Sequence, residues 1–310
     1  MNERLKSRSS GMWLLSFGVT AGAALCGHMG WFSALIGALA GIILYEIYLW
    51  LPEGRTPAPI RVLQVLWLAV PLAVFANTAR DLFPDASNEL YVPLVVLALS
   101  WLLARHPRDG VLACCVIVGY FLLTAVAVVC VFASPNLQWH WLRPSFDWVE
   151  ALTALSIAGG GMLLSTALPG VRPGKPWRWI AYLSPVVIAA VVSGSLSVPL
   201  ARKQDAAFYT LSRSISLFGV VERFEALVAA CLTLGLCSAC ALLLNAVRQM
   251  IPQKGGDGVT AFLCLAALGG SFLSLSPLIP AAGTAVIWVL LPLIKKKKKG
   301  EKTVDKPQSM

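Results

Sequence analysis

This sequence is poor in charge and nearly devoid of histidine. Of 310 residues, 13% are charged: 15 Asp and Glu against 25 Lys and Arg, with 3 His. A typical soluble domain carries about 25% charged residues; here 57% of the chain is hydrophobic, which excludes a water-soluble fold. His28, His106 and His140 stand far apart and offer no metal-ligand spacing. The sequence has no paired carboxylates inside an apolar run, no Ser–His–Asp set and no Gly-rich phosphate loop. These absences argue against an enzyme and imply no metal or cofactor. Short segments of alternating hydrophobicity, the mark of a membrane β-barrel, are also missing.

Cysteine is present but lacks a framework. Cys26, Cys114, Cys115, Cys130, Cys231, Cys237, Cys240 and Cys264 all lie within or at the ends of apolar runs. Cys237 and Cys240 have C-x-x-C spacing, yet neither a histidine nor a second such pair accompanies them, so they read as small packing residues.

What the chain does have is long apolar runs. A bilayer is crossed by about 20 residues of helix, and ten spans are expected, at 12–28, 31–51, 60–80, 91–105, 111–133, 148–168, 178–200, 223–247, 259–276 and 278–294. The opening MNERLKSRSSGMWLL is basic and then apolar, like a signal peptide. It lacks a convincing cleavage site and reads as an uncleaved first span. Residues 1–294 then form one integral membrane domain, and 295–310 a basic tail.

Loop charge sets the orientation. With the N-terminus in the cytoplasm, Arg80, Arg143, Arg202, Lys203, Arg213 and Arg223 fall outside, and the other Lys and Arg side chains fall inside. Trp13, Trp31, Trp50, Trp139, Trp141, Trp148, Trp177 and Trp179 lie near span ends, as an aromatic belt requires. The run KKKKK at 295–299 reads as a stop-transfer flank beside anionic lipid headgroups. The net charge of +10 therefore belongs to loops and tail and does not point to nucleic acid. Both termini are expected in the cytoplasm and the protein in the inner, cytoplasmic membrane.

Ten spans divide as five plus five, and the first span of each half carries small residues near its middle. Span one reads LLSFGVTAGAALCGH (14–28), with Gly18, Thr20, Gly22 and Gly27; span six contains SIAGGGMLLS (156–165). Interrupted helices at matching places point to a secondary-transporter fold built from inverted repeats: an all-α membrane protein of ten helices with helices one and six broken. At such breaks, half-helix amides hold an anionic group at their positive dipole ends, which suits the carboxylate of an amino acid. The candidate substrate-binding residues are Gly18, Thr20, Gly22, Ser156, Gly159, Gly160, Gly161 and Thr233, with spans three and eight shaping the rest. The competing reading is that the small residues serve close helix packing alone.

The stretch FYTLSRSISLFGVVERFEALVAACLTLGL (208–236) brings Arg213, Glu222, Arg223 and Glu225 directly into an apolar helix. Its Arg213, Ser214, Ile215, Ser216 and Leu217, followed by Arg223, Phe224 and Glu225, resemble the spore germination permease family. These are the B subunits of nutrient germinant receptors, within the amino acid–polyamine–organocation superfamily. WLRPSFDWVEAL (141–152) resembles the family's short outer segment leading into helix six. The resemblance implies a membrane subunit that binds a small nutrient such as an amino acid and triggers germination. It also implies receptor A and C subunits as partners, and a structural clamp of Arg213, Arg223 and Glu225 between the outer loop helix and span eight. Without the family, Glu225 reads as half of an interfacial ion pair worth under about 1 kcal/mol. Glu46 is expected to snorkel to the cytoplasmic interface, and Glu150 to favour the N-terminus of span six. Two further readings stay open: an amino acid or ion transporter of the same superfamily, and a non-transporting membrane scaffold.

Overall fold

A computed structural model describes residues 3–50, 58–83, 89–168, 173–204, 206–215, 224–251 and 255–272. Among them the only regular structure is helix. The long helices are α1 (Glu3–Leu25), α2 (Trp31–Trp50), α3 (Ala58–Asp81), α4 (Tyr91–Ala104), α5 (Arg108–Ala133), α6 (Trp148–Ala167) and α7 (Lys175–Leu196). Two short helices, α8 (Val198–Ala201) and α9 (Ala207–Ser214), precede the long α10 (Phe224–Met250) and α11 (Gly256–Gly270). The first nine expected spans thus fall on α1–α7, α10 and α11, while the tenth (278–294) and the lysine tail lie outside the described residues.

Among the described residues, four stretches are long and apolar enough to cross a bilayer: Val62–Asp81, Arg108–Asn136, Lys175–Leu196 and Glu225–Met250. Shorter apolar helices run over Trp31–Ile47, Tyr91–Ala104 and Gly256–Gly270. Ile43, Leu66, Leu99, Phe121, Leu234 and Phe262 are exposed on the outside of the bundle, a surface that suits hydrocarbon and not water.

Local signals set the helix starts. Asp147 caps α6, its side chain accepting from the Val149 amide at 2.9 Å. Pro107 precedes α5 and Pro176 sits in the first turn of α7, where a missing N–H costs nothing. Glu150 lies in the first turn of α6, where an acid suits the helix dipole, and the N-cap itself is Asp147.

The expected breaks are absent. Helix α1 runs unbroken through Gly18, Thr20 and Gly22, and α6 runs unbroken through Gly159, Gly160 and Gly161. Each glycine lowers helix propensity by about 1 kcal/mol, but tertiary contact outweighs this. A Cβ on Gly18 would collide with the carbonyl oxygen of Ala181 in α7. One on Gly22 would lie 2.8 Å from the Pro185 Cα, and one on Gly161 2.8 Å from a Leu14 methyl. The glycines let backbones approach, as small residues do between helices in lipid.

The helices pair in a definite pattern. α1 packs most extensively on α7, and α2 on α6; α10 packs on α4, and α3 on α11. The α2–α6 contact is also built on glycine: Gly37 abuts the Ala151 carbonyl and Gly41 the Ala158 methyl. Both interfaces align parallel helices, because the contacts advance together along each pair.

Polar groups gather at the two ends of the bundle. At one end Arg248 donates to the Ala104 carbonyl at 2.7 Å and pairs with Asp257 at 3.0 Å, tying the ends of α4 and α10 to the first turn of α11. At the same end Arg178 pairs with Glu46 at 3.2 Å. At the other end Trp31 donates its indole N–H to the Leu142 carbonyl at 3.1 Å, Ser33 receives the Asp147 amide at 2.9 Å, and Arg202 pairs with Glu150.

Candidate functional site

A small cavity of about 10 Å³ lies near the second end, between α1, α3, α9 and α10. Thr20, Ala23 and Ala24 line it from α1, Thr78 from α3, Leu82 from just past the end of α3, and Leu232 and Leu236 from α10; Tyr209 of α9 and the preceding Ala206 close it over. That volume is about enough for one water molecule. The hydroxyls around it are engaged locally: Thr20 donates to the Ser16 carbonyl at 2.8 Å and Thr78 to the Val74 carbonyl at 3.0 Å. Donating leaves both acceptor lone pairs of each hydroxyl unused, the polar edges of an otherwise apolar chamber.

Of the expected binding residues, Thr20 alone lines this cavity. Gly18 and Gly22 face α7 instead, where Ala181 and Pro185 leave no room for a ligand. Gly159 is buried in α6. A Cβ on Gly160 would meet the Phe17 ring at 3.1 Å, and one on Gly161 the Tyr182 hydroxyl at 2.9 Å. Ser156 donates to the Thr153 carbonyl at 2.6 Å and Thr233 to the Ala229 carbonyl at 2.8 Å. The set is therefore dispersed along helix interfaces. With α1 and α6 continuous, their mid-helix amides are already bonded within the helix and present no half-helix N-terminus to a carboxylate.

Of the expected clamp, Arg213 and Glu225 lie among the described residues. Arg213 is exposed, its guanidinium 6.0 Å from the centre of the Tyr209 ring. Glu225 is half-buried at the start of α10, and the two make no ion pair with each other; Arg223 lies outside the described residues. A different pair fastens this region. Glu150 is 4% exposed at the start of α6 and binds Arg202, on the connection from α8 to α9. The Arg202 side chain is about half exposed, so the pair buries the acid and leaves the base near the surface.

The segment that carries Arg202 begins at a strained residue. Ser197, between α7 and α8, has φ 66° and ψ 148°, a region that side-chain-bearing residues avoid. From there α8 and α9 fold back over the cavity.

Sequence reasoning missed the second buried ion pair. Arg178 is 5% exposed in the first turn of α7 and pairs with Glu46 of α2. Its guanidinium stands 5.4 Å from the Tyr45 ring centre, and Tyr45 meets Tyr182 edge to face at 6.0 Å. Glu46 therefore does more than snorkel: it neutralises an arginine that is out of water. Nothing local in the sequence signals a partner that distant.

All eight cysteines are free thiols, in keeping with their reading as packing residues. Among the described residues no group of His, Cys, Asp and Glu is arranged to hold a metal ion.

No protein-family model matches this chain, and no curated protein matches it.

Proposed function

We propose that this chain is the permease-type membrane subunit of a spore nutrient germinant receptor, built on ten spans as a five-plus-five inverted repeat. One observation carries the architectural half. If each helix is exchanged for the one five spans away, α1–α7 becomes α6–α2, and α4–α10 becomes α11–α3. Contacts between exchanged helices themselves, α1 with α6, α2 with α7, α3 with α10 and α4 with α11, map onto themselves and are all made. A serial up-and-down bundle has no reason to produce this pairing; two interlocked repeats of opposite orientation do.

The germination half rests on the resemblance in 208–236 and 141–152. The second of these segments leads into α6 and the first spans α9 and the start of α10, at the end of the bundle where the cavity lies. In this reading that end faces outward, the Arg248–Asp257 end faces the cytoplasm, and receptor A and C subunits are the partners. A small nutrient, such as an amino acid, reaches the chamber under α9 through Thr20, Thr78 and Tyr209. The chamber must widen to admit it.

Deleting the gene in its host and following the loss of spore refractility with single L-amino acids tests this reading. Loss of the response to particular nutrients, restored by the wild-type gene, supports it. Unchanged responses to every nutrient overturn it.

The uninterrupted α1 and α6 and the water-sized cavity favour a second reading, a scaffold that keeps the fold without transporting. Binding of labelled amino acids to the protein in vesicles separates the two: the scaffold, which takes no ligand, gives none above empty vesicles.

A further inference from the structure

The first turn of α7 concentrates positive charge in a place that water does not reach. Arg178 is one of the few buried charged residues. It sits where the helix dipole is also positive, so the position disfavours a cation twice, by desolvation and by the dipole. Among the described residues the carboxylate that meets it is Glu46, through an oxygen on Nη2 at 3.2 Å, and that side chain is 31% exposed. The guanidinium Nε–H, on the same edge of the fork, is buried and has no acceptor. One turn on, on the same helix face, the Tyr182 hydroxyl is also buried without a partner. It points at Gly161, where a side chain would collide with it.

Buried polar groups are normally satisfied. Here two donors four residues apart on α7 are not, and half of an arginine fork that fits oxyanions side-on is unpaired. We propose that Arg178, assisted by Tyr182, forms a buried binding site for an oxyanion of the phosphate or carboxylate type, with Glu46 as the internal competitor for the same fork. Phosphate can come from solution or from a lipid headgroup, since this site lies at the end of the bundle where α2 finishes and α7 begins.

Thermal unfolding of the full-length protein in neutral detergent tests the site. The probes are inorganic phosphate, with chloride at equal ionic strength as control, and mixed micelles of phosphatidylglycerol or phosphatidylcholine. A saturable rise in melting temperature with phosphate assigns the site to a free oxyanion. A rise with phosphatidylglycerol but not with phosphate or phosphatidylcholine assigns it to a headgroup. Either response must weaken in Tyr182→Phe, by about tenfold in apparent affinity for one lost charge-assisted hydrogen bond, and vanish in Arg178→Lys. Arg178→Lys risks misfolding, so Glu46→Gln provides an independent arm: removing the competing carboxylate must tighten phosphate or lipid binding and restore the stability that the substitution removes. No saturable response in wild type and in Glu46→Gln overturns the proposal, and so does a response that Tyr182→Phe leaves unchanged. An ordered water in the fork produces that null result.

Discussion

Gly18 of α1 lies directly against the carbonyl oxygen of Ala181 in α7. That carbonyl is special because Pro185, four residues on, has no N–H to give it. The Ser184 hydroxyl donates to it at 2.9 Å instead, and the Gly18 backbone covers what remains. The proline opens a place in one helix and the glycine lets the neighbouring helix occupy it.

This relationship orders the glycine substitutions. Gly18→Ala should lower stability by about 1–3 kcal/mol, because overpacking against a backbone atom exceeds the gain of about 1 kcal/mol in helix propensity. Gly160→Ala should be close to neutral, because its added methyl meets only the far edge of the Phe17 ring. Melting temperatures in detergent check the order. Equal effects at both sites would mean that the α1–α7 contact is looser than described.

The Arg202–Glu150 pair should show the asymmetry of a buried acid. Arg202→Ala strands Glu150 and should destabilise by about 1–3 kcal/mol, below the loss for a fully buried pair because Arg202 is half exposed. Adding Glu150→Gln to Arg202→Ala should recover part of the loss by removing the stranded charge. A double mutant worse than the single would show that the pair is not the link between α6 and the α8–α9 segment.

Glu225→Ala should change stability by no more than about 1 kcal/mol, the range of an exposed ion pair, because Glu225 is half-buried and makes no ion pair with Arg213. A large loss would restore the clamp that the family resemblance implies.

Ser197→Gly should stabilise the protein by about 1 kcal/mol, since glycine adopts a positive φ without a Cβ clash. Ser197→Val should do the reverse. The pair of melting curves distinguishes backbone strain from any role of the hydroxyl.

The places of nine helices were readable from hydrophobic runs alone, and among the described residues four stretches are long and apolar enough to cross a bilayer, because length and apolar content are local properties. Helix continuity was not. The triple glycine at 159–161 signals a weak helix by propensity, and only the partners Leu14, Phe17 and Tyr182, more than a hundred residues away or on another helix, explain why it persists. The same holds for charge. Arg178 reads as one of many cytoplasmic basic residues until α2 brings Glu46 against it, and Glu150 reads as a helix-start acid until Arg202 arrives from beyond α7. The cavity lining from spans one, three and eight was partly foreseen through Thr20, whereas Ala206 and Tyr209 of the covering segment carried no signal of their own.

In the proposed topology the bundle crosses a membrane with its α8–α9 end outside and its α4–α5 end inside. In a background without native cysteines, single cysteines replace Lys203, Asp109 and Lys302, and a membrane-impermeant thiol reagent is applied to intact cells. Labelling is expected at 203 without permeabilisation, and at 109 and 302 only after it. Labelling of 203 and 109 from the same side would contradict the spanning bundle; labelling of 302 together with 203 would remove the tenth span and with it the five-plus-five repeat.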